Sequence, residues 1–109
     1  MVVFRALGLS LALLFAVRPV AAEDAARLAA AMQAVAASNW GEALEQAAQS
    51  GPIATDIVQW HRLRAGQGAA ADYASFLSRN ADWPGLPLLQ RRGEPAVAQG
   101  AGADAIIAY

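Results

Sequence analysis

A chain of 109 residues with 57% hydrophobic content, no cysteine and one histidine has room for one small domain. Those counts exclude a disulfide framework, thiol chemistry and any metal or catalytic site that needs two imidazoles. The formal net charge is −1 and all eight cations are arginine, so nucleic acid, whose phosphate backbone needs clustered cations, is not an expected partner.

The chain opens with Arg5, a twelve-residue apolar run from Ala6 to Val17, and Val20-Ala21-Ala22 before Glu23-Asp24. That order is the grammar of a cleavable signal peptide over residues 1–22, cut after Ala22 and implying export. The apolar run is too short for a hydrocarbon core of about 30 Å, which takes roughly 20 helical residues, and Arg18 and Pro19 break it. No permanent membrane anchor is expected, and without a cysteine there is nothing to acylate. Residues 23–109 then form the working domain, with six arginines against nine acidic groups, a net charge of −3. A domain of this size buries only about 60% of its unfolded surface, so its stability rests on apolar packing within itself or against something more.

The domain reads as helix throughout: alanine is abundant, and no stretch alternates apolar and polar residues long enough for a strand. The first helix is expected over Asp24–Ala37, with Asp24 as cap and Leu28, Met32 and Val35 on one face. Asn39 followed by Glu42 is a capping-box pattern and starts a second helix, Trp40 to Ser50, with Trp40, Leu44 and Ala48 as its buried stripe. Gly51 supplies a left-handed stop, and Pro52 doubles as first-turn residue of the third helix. There Ile53, Ile57, Trp60 and Leu63 fall on one face, and Arg62 and Arg64 favour the helix C-terminus. Gly66 and Gly68 end it.

A fourth helix covers Ala70–Asn80, with Tyr73, Phe76 and Leu77 inward. Asp82-Trp83-Pro84-Gly85 makes a tight corner, and Asp82 caps a fifth helix from Leu86 to about Gly93. Pro95 and Gly100-Ala101-Gly102 interrupt the chain beyond that helix, and a last helix begins near Asp104. Short loops make neighbouring helices antiparallel, so the expected fold is all-α: short antiparallel helical hairpins forming the start of an α-superhelix, a tetratricopeptide-like solenoid. Trp40 and Tyr73 lie 33 positions apart, close to the period of such hairpins. Ile106, Ile107 and Tyr109 would leave an apolar half-turn uncovered, so the chain is expected to be the N-terminal, truncated part of something longer.

Chemistry is sparse. His61, beside Trp60, is expected to pack or hydrogen-bond rather than catalyse. Glu42 and Glu45 stand one turn apart but fit a cap and a solvated face; Asp56 lies within reach of arginines. Arg91-Arg92, with Arg79 nearby, is the one basic cluster, a solvated face or a contact to an anionic polymer or a following domain. Trp40, Trp60 and Trp83 fit core packing better than sugar stacking. Gly66-Gln67-Gly68 follows a helix, not a strand, and is no phosphate loop. No catalytic, cofactor-binding or metal-ligating residue is assigned.

The run Asp56-Ile57-Val58-Gln59-Trp60-His61-Arg62-Leu63-Arg64-Ala65-Gly66, then Asp72-Tyr73-Ala74-Ser75-Phe76-Leu77 and Asn80-Ala81-Asp82-Trp83-Pro84-Gly85-Leu86-Pro87-Leu88-Leu89, resembles the N-terminal helical region of bacterial soluble lytic murein transglycosylases. Asn39-Trp40-Gly41-Glu42-Ala43-Leu44 fits the opening hairpin of that family, and the likeness covers about residues 24–109. The resemblance implies a periplasmic enzyme that cleaves peptidoglycan glycan strands without water, leaving 1,6-anhydromuramoyl ends. It implies a superhelical scaffold of further hairpins and a separate lysozyme-like domain in which one glutamate, followed by serine, acts as acid and then base. In this chain Glu23, Glu42, Glu45 and Glu94 are followed by Asp, Ala, Gln and Pro. No catalytic residue carries over, and the chain is expected to be scaffold, inactive alone. The alternative is a non-enzymatic periplasmic helical-repeat module that binds a protein partner; a small sugar-binding module using Trp83 and Arg91-Arg92 ranks last.

Overall fold

The computed structural model describes residues 20–109, and among them every regular element is helical. They are α1 (Val20–Ala36), α2 (Trp40–Ser50), α3 (Pro52–Arg64), α4 (Ala70–Arg79), α5 (Leu86–Gly100) and α6 (Ala103–Ala108). The signal segment expected at residues 1–22 lies, apart from its last three residues, outside the described part. Helix α1 is already helical at Val20, upstream of the expected Asp24, because nothing between Val20 and Asp24 opposes a helix already favoured by alanine.

Local chemistry sets most of the boundaries. Asn39 caps α2: its Oδ1 accepts from Glu42 N at 3.5 Å and its Nδ2 donates to the Glu42 carboxylate at 2.9 Å. Between α2 and α3 only Gly51 intervenes, at φ 105 and ψ −176, not the left-handed helical stop expected. The chain turns there without a helical C-cap, through a backbone conformation suited to glycine. Helix α4 starts where the Asp72 carboxylate accepts from Ala69 N at 2.9 Å. Helix α5 starts at Gly85, whose left-handed φ of 72 replaces the expected Asp82 cap; Asp82 is exposed.

Helix α5 also runs on past Gly93 and Pro95 to Gly100. An internal proline leaves the carbonyl one turn back without its donor and costs roughly 3 kcal/mol. Packing overrides it. Leu89, Gly93 and Val97 recur every four residues and are all buried, while Pro95 sits on the exposed side.

The six helices make two cores joined by α3. In the first, α1, α2 and α3 pack mutually, and α1 and α2 are antiparallel: Ser50 Oγ, at the end of α2, donates to Asp24 O near the start of α1 at 3.1 Å, and Arg27 reaches Gln49 O at 3.3 Å. The contact is a seam of small residues, Ala31, Ala34, Ala43, Ala47, Ala54 and Val58, flanked by Leu28, Val35 and Leu44. The stripes therefore sit about one residue away from the expected Trp40, Leu44, Ala48 and Ile53, Ile57. Ala48 is exposed and Ile53 is 75% exposed. Small side chains admit three helices at close range, which bulky ones at the seam would prevent.

The second core gathers Leu63, Tyr73, Phe76 and Leu89, with Trp60, Leu77, Trp83, Leu86, Ala96 and Tyr109 packed around them. Helices α4 and α5 are antiparallel here as well, since Ala70 and Ala71 at the start of α4 line one cleft with Val97 and Gly100 at the end of α5. Each buried Leu or Phe contributes about 1.5–3 kcal/mol and a buried alanine methyl nearer ~0.8 kcal/mol, so the second core supplies the larger share. Trp40 is half-buried while Tyr73 is fully buried; the two positions that suggested a repeat occupy unlike environments.

Candidate functional site

The densest chemistry lies at the C-terminal half of α3. Trp60 Nε1 donates to Pro84 O at 2.9 Å, which ties α3 to the corner before α5. His61 stands edge-on to the Trp60 ring, centroids 5.0 Å apart, and the Arg64 guanidinium lies 4.3 Å above that ring, a cation–π geometry. Across the corner Trp83 meets Phe76 edge to face at 5.3 Å. Two of the three tryptophans thus fix the turn that sets α5 against α3. Partial burial first, and the Arg64 charge second, hold the His61 imidazole below its ordinary pKa of 6.5; both disfavour the charged form.

Ion pairs join α3 to α4 at both ends. Asp56 accepts from Arg79 at 3.2 Å, and Asp72 accepts from Arg62 at 3.3 Å, with Gln59 as a further partner of Arg62 at 3.1 Å. Arg79, expected beside Arg91-Arg92, is thereby turned toward Asp56. Arg91 and Arg92 are exposed on α5. Glu42 is taken up by the α2 cap and Glu45 is exposed, so the two do not converge on a cleft.

Among the described residues no three His, Cys, Asp or Glu side chains come close enough to hold a metal ion. Gly66-Gln67-Gly68 closes α3 instead of cradling an anion: Gly66 N donates to Leu63 O and Gln67 N to Arg62 O. Gly68 leaves space filled by Leu63 and Tyr73, since a Cβ there would collide with Leu63 Cδ2 and stand 3.0 Å from Tyr73 Cε2.

The residue that sequence reasoning missed is Gly93. Expected as a helix end, it is instead the point where the α5 backbone crosses the Tyr73 ring: a Cβ would lie 2.6 Å from Tyr73 Cγ and 2.7 Å from Cδ1, and would collide with Tyr109 Oη. Tyr73 is fixed from the other side by a 3.0 Å bond from its hydroxyl to Leu63 O, and burial raises its pKa above 10. Tyr109, expected to be uncovered, is packed against the second core. No local pattern marks Gly93, because its role depends on which side chains fold across α5. Three clefts of about 420, 270 and 340 Å³ border α6, between α4, α5 and Tyr109. None of the three holds a histidine, and the one carboxylate, Glu94, stands on the third.

The described residues bring tryptophans, arginines and carboxylates together to brace helices. Comparison with protein-family models, with curated proteins and with solved structures finds no match.

Proposed function

We propose that this chain is the N-terminal scaffold of a periplasmic soluble lytic murein transglycosylase, exported by the signal peptide at residues 1–22 and released after Ala22. In this reading the hairpins begin a tetratricopeptide-like superhelix, further helical repeats stack on it, and a lysozyme-like domain cleaves peptidoglycan to 1,6-anhydromuramoyl ends. The observation that carries the reading is the double use of α3, which buries Ala54 and Val58 in one core and Leu63 in the next. Solenoids are built this way, each unit covering the face its neighbour leaves open. The commitment of nearly every α3 charge to bracing supports a structural role.

Two measurements test it. Mass spectrometry of the exported protein should give Glu23 as the first residue; retention of residues 1–22 refutes the export step. The DNA beyond the codon for Tyr109 should encode more helical pairs and later a Glu-Ser segment, while residues 23–109 alone release no anhydromuropeptides from purified sacculi. Turnover by that fragment overturns the scaffold assignment.

The exposure of Ile53 and Ile107, at 75% and 84%, favours a second reading: a non-enzymatic periplasmic helical-repeat module that takes a protein partner. A stop codon directly after Tyr109 selects it over the first.

A further inference from the structure

Helix α6 is attached by very little. None of its residues is buried, Ile106 and Ile107 are exposed, and α5 is the only described helix on which it packs. The turn that joins it to α5 is Gly100-Ala101-Gly102, and a Cβ at either glycine would meet open space, so no neighbour stiffens it.

Against this stands one built contact. Tyr109 Oη donates to Gln90 O at 2.7 Å, and Gln90 Nε2 donates back to Tyr109 O at 2.8 Å. The same ring lies over Gly93, where any side chain would collide with its hydroxyl, and joins the Tyr73 core. All three clefts around α6 have Tyr109 in their walls, so the space on each side of this ring is open.

We propose that residues 103–109 are a strap held by a single latch, the Tyr109 ring in the Gly93 notch, and that the strap opens as a unit while the Tyr73 core stays folded. Elements with few buried apolar contacts open at lower free energy than the core they cover. Lifting Tyr109 removes the wall shared by the clefts and leaves one apolar groove along α4 and α5, between Ala74 and Leu77 on one side and Val97 on the other. The strap is the groove's resident occupant. Helical pairs following Tyr109, as the scaffold reading has them, would stack on the strap, so its opening is a property of residues 20–109 on their own.

Hydrogen–deuterium exchange on the full chain tests the proposal. The reporters are Ile106 N and Tyr109 N, bonded to Gly102 O and Ala105 O in the strap, against Leu89 N and Tyr73 N in the core. Strap amides should exchange about a hundredfold faster than core amides, or more. Tyr109→Phe keeps the ring and removes one hydrogen bond, so strap exchange should rise roughly three- to tenfold with core exchange unchanged. Gln90→Ala, at an exposed side chain, should do the same from the other side of the latch. Strap amides as slow as the core, or strap and core accelerated by the same factor in either variant, overturn the proposal.

Discussion

Gly93→Ala separates helix propensity from packing, because the two act in opposite directions. At an unobstructed helical position, alanine for glycine stabilises by up to about 1 kcal/mol. At Gly93 the new methyl would meet Tyr73 Cγ and Cδ1 at 2.6 and 2.7 Å, well inside van der Waals contact, and would strike the Tyr109 hydroxyl. Tyr109 could swing away; Tyr73 cannot, being fully buried, bonded to Leu63 O and backed by Gly68. Overpacking of a rigid core costs about 1–3 kcal/mol, occasionally more, and a clash with a fixed ring belongs at the upper end. Set against the propensity gain, the net expectation is a loss of about 2 kcal/mol, or roughly 8–16 °C in Tm for a domain of this size. Gly41→Ala is the control, a helical glycine with nothing within 4 Å of its would-be Cβ; it should gain up to about 1 kcal/mol. Thermal and urea unfolding followed by circular dichroism reads both. If Gly93→Ala proves as stable as Gly41→Ala, the crossing of α5 over Tyr73 is wrong.

Three further substitutions check other parts of the structure. Ala43→Leu at the fully buried seam should lose about 1–3 kcal/mol, whereas Ala48→Leu on the exposed side should stay within about 0.5 kcal/mol of the parent; urea midpoints in the reverse order would restore the Trp40, Leu44, Ala48 stripe. Pro95→Ala restores a donor in the middle of α5 and should stabilise by about 1–3 kcal/mol in the same assay, while a loss would mean that α5 does not run through to Gly100. His61, held below its ordinary pKa in the fold, takes up its proton first in the unfolded chain. Stability should therefore be complete above about pH 6.5 and decline as the pH falls from there through the folded-state value. His61→Gln should flatten that slope below about pH 6.5, measured by urea midpoints across pH.

Local chemistry is the part of this fold that the sequence makes legible. Asn39 and Glu42 start α2, Pro52 starts α3, and the Tyr73, Phe76, Leu77 face of α4 is the one found. These signals act within one turn of the chain. The registers of α2 and α3 depart from the hydropathy pattern because hydropathy gives Trp, Ile and Leu more weight than alanine. Helix contacts at short range select the smallest side chains for the seam and send the large ones to its edges. Pro95 misleads for a related reason: a breaker is decisive only where nothing outweighs it, and Leu89, Gly93 and Val97 together do. Gly93 itself is illegible, since its purpose appears only when Tyr73, twenty positions earlier, is folded beneath it.

The same logic explains how α3 can serve two cores. Its first half presents Ala54 and Val58 to α1 and α2, and its second half presents Leu63 to Tyr73, Phe76 and Leu89. A helix buried on different faces at its two ends would twist freely unless the faces between were held, and they are. Asp56 reaches Arg79, Arg62 reaches Asp72, and Trp60 reaches Pro84. An exposed ion pair alone is worth at most about 1 kcal/mol, so these contacts add little to stability. Their effect is angular: they fix the rotation of α3 relative to α4 and the corner, and with it the offset between the two hairpins.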